Sequence, residues 1–373
     1  MTNLRIPGPT PLPPSVLAAM QEPMIPHRGP EARELFTELR AALARLHRTT
    51  GEILIFPGSG TGALEASIVN LFSAGDRVLA IVGGAFGERY ARIARAFGLD
   101  VVALPVEWGR AVEPTAVRDA LAAHPGVRGV LLTHNETSTG VTNDARAIAA
   151  VAREHGALLL CDAVSSAGAL PLEMDAWGVD VVLSGTQKAW MCPPGAAIVA
   201  LGPRAWEAHA RATLPRFFWD FTQARDAARA GSVHVTPPLT TLYALRAALR
   251  DIEAEGLEAV WARHAALGAY VRGRVAALGL ALVADPAHAS NSVTTAAVPE
   301  GIEAKALLDH LRERYDVVIA GGQGQLAGRI IRIGHLGYVH EPELAAALDA
   351  LTAALGDLGY AVPAAARGAV AAR

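Results

Sequence analysis

The chain is expected to fold as an α/β protein, with a large, doubly wound, mostly parallel sheet domain followed by a smaller C-terminal α/β domain. Three observations lead there. From about residue 31, short apolar strands alternate with amphipathic helical stretches, the pattern of a parallel sheet covered on both faces. After Pro237-Pro238 the pattern changes to two long helical stretches and then shorter mixed elements. The length of 373 residues exceeds what one hydrophobic core ordinarily organises.

The first thirty residues carry Pro7, Pro9, Pro11, Pro13, Pro14, Pro23, Pro26 and Pro30, which disfavours regular helix over most of that stretch. Residues 1–30 are therefore read as an extended arm laid over the body. Expected strands are 53–56, 77–82, 100–105, 129–133, 157–161, 179–184 and 196–201. Helices fit between them at 63–71, 88–97, 114–122 and 143–155, the last capped by Asn143 or Asp144. The helical stretches 240–255 and 257–278 meet at Gly256, so the large domain is placed at 31–255 and the small one at 256–361. Within the latter, strands are expected at 292–298, 317–320 and 329–333 and helices at 304–315 and 341–355. Residues 362–373, rich in alanine with little apolar bulk, are expected to fray.

A net charge of -3 provides no field for gripping phosphate backbones, and no basic run is interleaved with aromatics; nucleic acid is not expected as a partner. No apolar stretch approaches a membrane span and no signal-peptide pattern opens the chain, so a soluble, cytoplasmic protein is expected. Two cysteines, Cys161 and Cys192, have neither the number nor the spacing for a disulfide framework or a zinc site, and no metal is expected.

Three positions carry chemistry. Of the thirty-three basic residues only Lys188 and Lys305 are lysines, and Lys188 lies in an uncharged run, Ser184-Gly185-Thr186-Gln187-Lys188-Ala189-Trp190-Met191. A lysine amine in a dry pocket can lose its proton and form a Schiff base with a carbonyl, which an arginine cannot do; a surface lysine is the plain alternative. The turn Pro57-Gly58-Ser59-Gly60-Thr61-Gly62 joins a strand to a helix whose free N–H groups could face a phosphate, or it is only a tight turn. The run Leu158-Leu159-Leu160-Cys161 drives into Asp162 at the C-terminal end of a strand, where ligands bind in open α/β sheets; a helix N-cap is the competing role. A carboxylate, a phosphate cradle and an unpaired lysine at one sheet edge are what pyridoxal phosphate requires: imine, ring-nitrogen partner and phosphate anchor.

The runs 162–166 (Asp-Ala-Val-Ser-Ser), 184–189 (Ser-Gly-Thr-Gln-Lys-Ala) and 193–195 (Pro-Pro-Gly), together with 7–10 (Pro-Gly-Pro-Thr), 134–141 (His-Asn-Glu-Thr-Ser-Thr-Gly-Val) and 332–337 (Arg-Ile-Gly-His-Leu-Gly), resemble the class V aminotransferases over almost the whole chain. The likeness is to the alanine–glyoxylate, serine–glyoxylate and serine–pyruvate group in particular. It implies a fold-type I transferase dependent on pyridoxal 5'-phosphate. It implies Lys188 for the cofactor imine, Asp162 for the ring nitrogen, Thr137 for the phenolic oxygen, and Val164 and Phe86 for the two ring faces. Ser59, Gly60, Thr61 and Gln187 would hold the phosphate, completed by Thr236 from the partner subunit of a homodimer. Where some relatives have a tyrosine three residues before that threonine, this chain has Val233.

Arg332 matches the family's carboxylate-binding arginine, whose planar fork can grip both oxygens, and the arm with Pro9 and Thr10 is expected to shape substrate choice. The implied reaction moves an amino group from a small amino acid, alanine or serine, to a small 2-oxo acid, glyoxylate or pyruvate, in two halves through a Lys188 Schiff base. Ureidoglycine, aminoethylphosphonate, pyridoxamine or aspartate as donor remain alternatives, as do a lyase or desulfurase and a non-catalytic hydrogenase-associated subunit. A desulfurase needs a mobile-loop cysteine, whereas Cys161 sits at a strand end and Cys192 just past the lysine.

Overall fold

The structure is a computed structural model and describes residues 2–364 and Ala366. Its centre is a seven-stranded sheet. In spatial order the strands are Glu52–Gly58, Gly195–Leu201, Val181–Gly185, Leu158–Asp162, Val127–Thr133, Arg77–Val82 and Asp100–Pro105. Each expected strand is present with ends moved by at most two residues. One strand, Gly195–Leu201, runs antiparallel to both of its neighbours, and the other pairings are parallel.

The near-continuous apolar strands are explained by burial on both faces. Side-chain alternation divides each strand between two cores. Leu159, Cys161, Val182, Ile198 and Ala200 face a cluster that includes the Pro30–Leu46, Ala145–Glu154 and Leu239–Glu255 helices. Leu158, Leu160, Val181, Leu183 and Val199 face a second cluster with the Gly60–Leu71 and Ala85–Ala96 helices. The Ala145–Glu154 helix is capped by Asp144, whose Oδ1 accepts from the Ala147 amide at 2.9 Å, the second of the two expected caps. The Gly60–Leu71 helix starts three residues earlier than expected, because Ser59 caps it by accepting from the Gly62 amide. The glycine-rich turn is therefore also the helix's first turn.

A third cluster packs the Leu257–Ala277, Ala304–Tyr315 and Glu341–Asp357 helices on a three-stranded sheet ordered Val293–Ala297, Ile330–Gly334, Ala320–Gly321. The expected strand 317–320 divides in two. Val317–Val318 pairs in parallel with Asn3–Leu4, while Ala320–Gly321 pairs with Ile331 and Arg332. The arm thus adds a strand to the C-terminal half, a pairing across more than three hundred residues that no local pattern encodes.

The arm is not extended throughout. Pro13-Pro14 open a short helix, Pro14–Ala19, because proline at the first helical position loses no hydrogen bond. Among residues expected to fray, Val362 and Ala366 are instead buried against the C-terminal core, since each supplies an apolar side chain to the Glu341–Asp357 region; residues 365 and 367–373 lie outside the described ones. Among the described residues no helix is long and apolar enough to cross a membrane.

Candidate active site

The C-terminal ends of the parallel strands deliver the site. Thr133 pairs with Asp162, and Asp162 with Leu183, two residues before Gly185, so the loops after these three strands open at one edge. Asp162 is buried, and its Oδ1 accepts from the Val164 amide at 3.0 Å, the one hydrogen-bond donor to this carboxylate among the described residues. Burial pushes its pKa up to about 6, reinforced by the Glu136 charge and opposed by the Val164 amide, Lys188 and Arg89. A cation seated against it would bring it down again.

Lys188 stands in the same field. Burial lowers its pKa to about 8; Arg332 and Arg89 lower it further, and Asp162 works against them. Its Nζ donates to the Pro7 carbonyl at 2.5 Å. Thr10, buried, donates its hydroxyl to the Lys188 carbonyl at 3.0 Å, and its amide meets the Gln187 carbonyl. Between them Gly8, at φ +116, lies against the lysine stem: a Cβ there would sit 2.6 Å from Lys188 Cδ and 2.8 Å from Nζ. Pro9 next to it is exposed.

The glycine-rich turn is shaped by its neighbours. A Cβ on Gly60 would stand 2.6 Å from Val164, and one on Gly58 or Gly62 would run into the Trp219 ring at 2.8 and 2.6 Å. Glycine is thus demanded here by the packing of Val164 beneath the turn and of Trp219 over it. Trp219 is itself held by an indole N–H donated to Glu65 at 3.1 Å. Ser59 and Gly60 begin the helix with amide groups free of intrahelical partners, as an anion site requires. Thr61 is exposed, and Gln187, with one amide oxygen buried and unpartnered, lies against Gly185, which touches Gly60.

Glu136 organises the opposite wall. Its carboxylate accepts from the Phe86 and Gly87 amides, the latter at 3.0 Å, and from the Ser138 hydroxyl at 2.5 Å, capping the Ala85–Ala96 helix that carries Phe86. Thr137, next in the turn, donates its hydroxyl to Ser165 at 2.7 Å, and Ser165 in turn donates to the Asn135 carbonyl. Arg332 is buried, with Nε donating to the Gly321 carbonyl at 2.7 Å and Nη1 to Thr137 O and Gln323 Oε1 at 3.4 and 3.5 Å. Burial lowers its hold on its proton, and Glu136 raises it. Among the described residues no carboxylate lies within ion-pair distance of Arg332.

Hydrogen bonds, close packing and electrostatic reach connect Asp162, Val164, Gly60, Gln187, Thr10, Lys188, Arg332 and Thr137, with Ser59 beside Gly60 and Phe86 joined through Glu136. Thr236 is not among them in this chain: it is exposed, between Val235 and Pro237, which line a cavity with Ile55 and Pro57 of the edge strand. His134 and His335 are buried and neutral, their pKa values pushed down to about 4 and about 3 chiefly by burial, and they bond Ser166 and Thr294. Sequence reasoning assigned no role to Gly8, Arg89, Glu136 or Trp219. The glycine between two prolines was a signal for the first; the others depend on contacts between distant segments.

The residues fit pyridoxal phosphate. A desolvated amine of lowered pKa suits an aldehyde, the desolvated Arg332 and an amide-rich turn suit anionic groups, and a buried carboxylate suits a cationic one.

The class-V aminotransferase family model matches residues 2–333. The chain is 43% identical over 360 residues to the soluble hydrogenase small subunit of Synechococcus sp. (strain PCC 6716), covering 96% of this chain and 94% of that one. It is 40% identical over 363 residues to the L-aspartate–glyoxylate aminotransferase of Paracoccus denitrificans, covering 96% and 92%. The solved structure of ureidoglycine–glyoxylate aminotransferase from Bacillus subtilis superposes with a TM-score of 0.93 at 29% identity, over 100% of this chain and 97% of that one. Fold, lysine-centred site and similarity along nearly the full length agree: the chain belongs to the class V aminotransferases, enzymes of fold type I that work with pyridoxal phosphate.

Proposed function

We propose that this aminotransferase moves the amino group of a small amino acid, alanine or serine, to a small 2-oxo acid, glyoxylate or pyruvate, and that it works in the cytoplasm as a homodimer. The observation that carries the reading is the electrostatic coupling of Lys188 to Asp162 and Arg332, three desolvated groups drawn from both halves of the chain. Bound pyridoxal phosphate supplies an electron sink for the bond broken at the substrate's α-carbon. Lys188, whose amine has a pKa of about 8, keeps an appreciable unprotonated fraction at neutral pH, the form in which it would hold the cofactor's aldehyde. With the substrate bound, the Lys188 amine would be the base placed to take the proton from the substrate α-carbon and to return it.

Asp162, largely ionised above about pH 6, would keep the cofactor's ring nitrogen protonated. Thr137 addresses the phenolic oxygen, while Val164 and Phe86 enclose the ring. Ser59, Gly60, Thr61 and Gln187 bind the phosphate, joined by Thr236 of the second copy, whose exposure suits a residue that reaches across an interface. Arg332 grips the substrate α-carboxylate. Residues 31–255 and 256–361 act as cofactor-binding and substrate-closing units, the arm with Pro9 and Thr10 closing the lysine side. Glyoxylate as acceptor is supported by the names of the Paracoccus and Bacillus proteins, which share it. Aspartate as donor is a second reading, favoured by the 40% identity to the Paracoccus enzyme. For the relative named as a hydrogenase subunit, the retention of all three charged groups in this chain argues for an enzyme here.

The test is a panel of donors (alanine, serine, aspartate) against glyoxylate, pyruvate and 2-oxoglutarate, with cofactor-loaded protein. Turnover of alanine or serine with glyoxylate or pyruvate is expected; aspartate alone as donor would install the second reading, and silence with every pair would sink both. Light scattering should give a mass near twice 38.9 kDa.

A further inference from the structure

Among the described residues fourteen arginines pair with an acid, for example Arg45 with Glu253, Arg77 with Asp100, Arg204 with Asp180, Arg246 with Glu22 and Arg274 with Asp349. Arg89 does not. Among the described residues no carboxylate lies within ion-pair distance of it, yet it is held in place from two sides. It follows Phe86 by three residues on the Ala85–Ala96 helix, so both side chains lie on one helix face, and its guanidinium stacks 4.9 Å over the Phe86 ring. Its Nη1 donates to Thr61 Oγ1, in the first turn of the helix that begins at the glycine-rich turn, at 3.3 Å. From there its charge reaches both Lys188 and Asp162.

A guanidinium stacked by its face on an aromatic ring keeps its N–H edge free, and that edge matches the oxygens of a phosphate. A cation with no protein counterion, aimed at an anion-binding turn, is short of one negative partner. We propose that Arg89 is a phosphate-binding residue of the cofactor site. Because the same guanidinium rests on Phe86, it also ties phosphate capture to the residue on the ring face. This inference rests on the reading of Ser59–Thr61 as the phosphate turn.

The test compares pyridoxal phosphate with pyridoxal, which lacks the phosphate, by titrating apoprotein and following absorbance and tryptophan fluorescence; activity is not the readout. Wild-type protein should bind the phosphorylated form far more tightly. Arg89→Gln should lose about 10- to 100-fold in affinity for pyridoxal phosphate, the scale of a charge-assisted hydrogen bond, with pyridoxal affinity unchanged; Arg89→Lys should recover part of the loss. Inorganic phosphate should compete less well in Arg89→Gln. Thermal melting of the apoproteins checks folding, and the charge-retaining Arg89→Lys serves if the glutamine variant is unstable. If wild type discriminates and both Arg89 variants discriminate equally well, Arg89 is not a phosphate ligand and the turn reading stands. If wild type binds the two aldehydes alike, the turn reading itself fails, and this proposal with it.

Discussion

The chain's two lysines occupy opposite electrical surroundings. Lys188, in the loop after a central strand, has a pKa lowered to about 8 by burial and then by Arg332 and Arg89. Lys305, on the exposed face of the Ala304–Tyr315 helix, has its pKa raised by the hydrogen bond and charge of Asp309 one turn on. The same side chain is a nucleophile at neutral pH in one place and a solvated cation in the other. Reactivity here is made by the neighbours: the arm that covers the amine, two arginines without acids, and one buried aspartate whose opposing pull does not offset the burial.

The comparison can be broken in several places. The largest effect is expected for Lys188→Ala, which should abolish the yellow colour of purified protein and lower kcat by at least about 10³-fold; a yellow variant turning over near the wild-type rate would remove Lys188 from the chemistry. Arg332→Gln should cut kcat/KM for α-carboxylate substrates by about 10- to 150-fold, mainly through KM. Since Arg332 lowers the Lys188 pKa, the same variant should move the pH midpoint for reaction of apoprotein with an aldehyde upward from about 8. An unchanged KM would refute the carboxylate role, and an unchanged midpoint would refute the coupling.

Stability gives a third handle. The Lys188 pKa is about 8 in the folded protein against an ordinary 10.5, so protonated Lys188 disfavours the folded state below pH 8, and this penalty lifts as pH rises toward 10.5. Apoprotein carrying Lys188→Met should therefore be more stable than wild type at pH 7, by at most about 3 kcal/mol, with the gap closing between pH 8 and 10.5. Melting curves in which the gap stays constant with pH would show that the shift is absent. Gly8→Ala should destabilise by about 1–3 kcal/mol and weaken cofactor loading, because its Cβ collides with the lysine stem at a positive φ. Smallest of all, Lys305→Ala should leave kcat/KM and the melting temperature within error; a measurable loss would mean that exposure does not make that lysine silent.

Much of the scaffold was legible because it is local. Seven strands announced themselves as apolar runs, and the amphipathic helices between them by their spacing, each signal lying within a dozen residues. The candidate site was legible where one side chain sits at a strand end, as Asp162 does, or breaks a compositional habit, as Lys188 does. What stayed hidden depends on segments far apart in the chain. The reversed direction of Gly195–Leu201 is settled by its neighbours in the sheet, and the division of 317–320 by the arriving arm. The glycines of the turn read locally as a phosphate cradle or a tight turn, and what the sequence hid is that Val164 and the Trp219 ring, both distant in the chain, leave no room for a Cβ at them.

By itself, then, the order of residues determined the alternation of strand and helix and the presence of one lysine, one strand-end carboxylate and one glycine-rich turn, because periodicity and residue chemistry act over short stretches. Only the tertiary structure decided what those groups experience. It laid the Pro7 carbonyl on the Lys188 amine, set Arg332 from the C-terminal sheet and Arg89 from an early helix within electrostatic reach of that amine, and buried Asp162 deeply enough to raise its pKa to about 6. Desolvation and charge act through space, and distances through space are fixed by the fold.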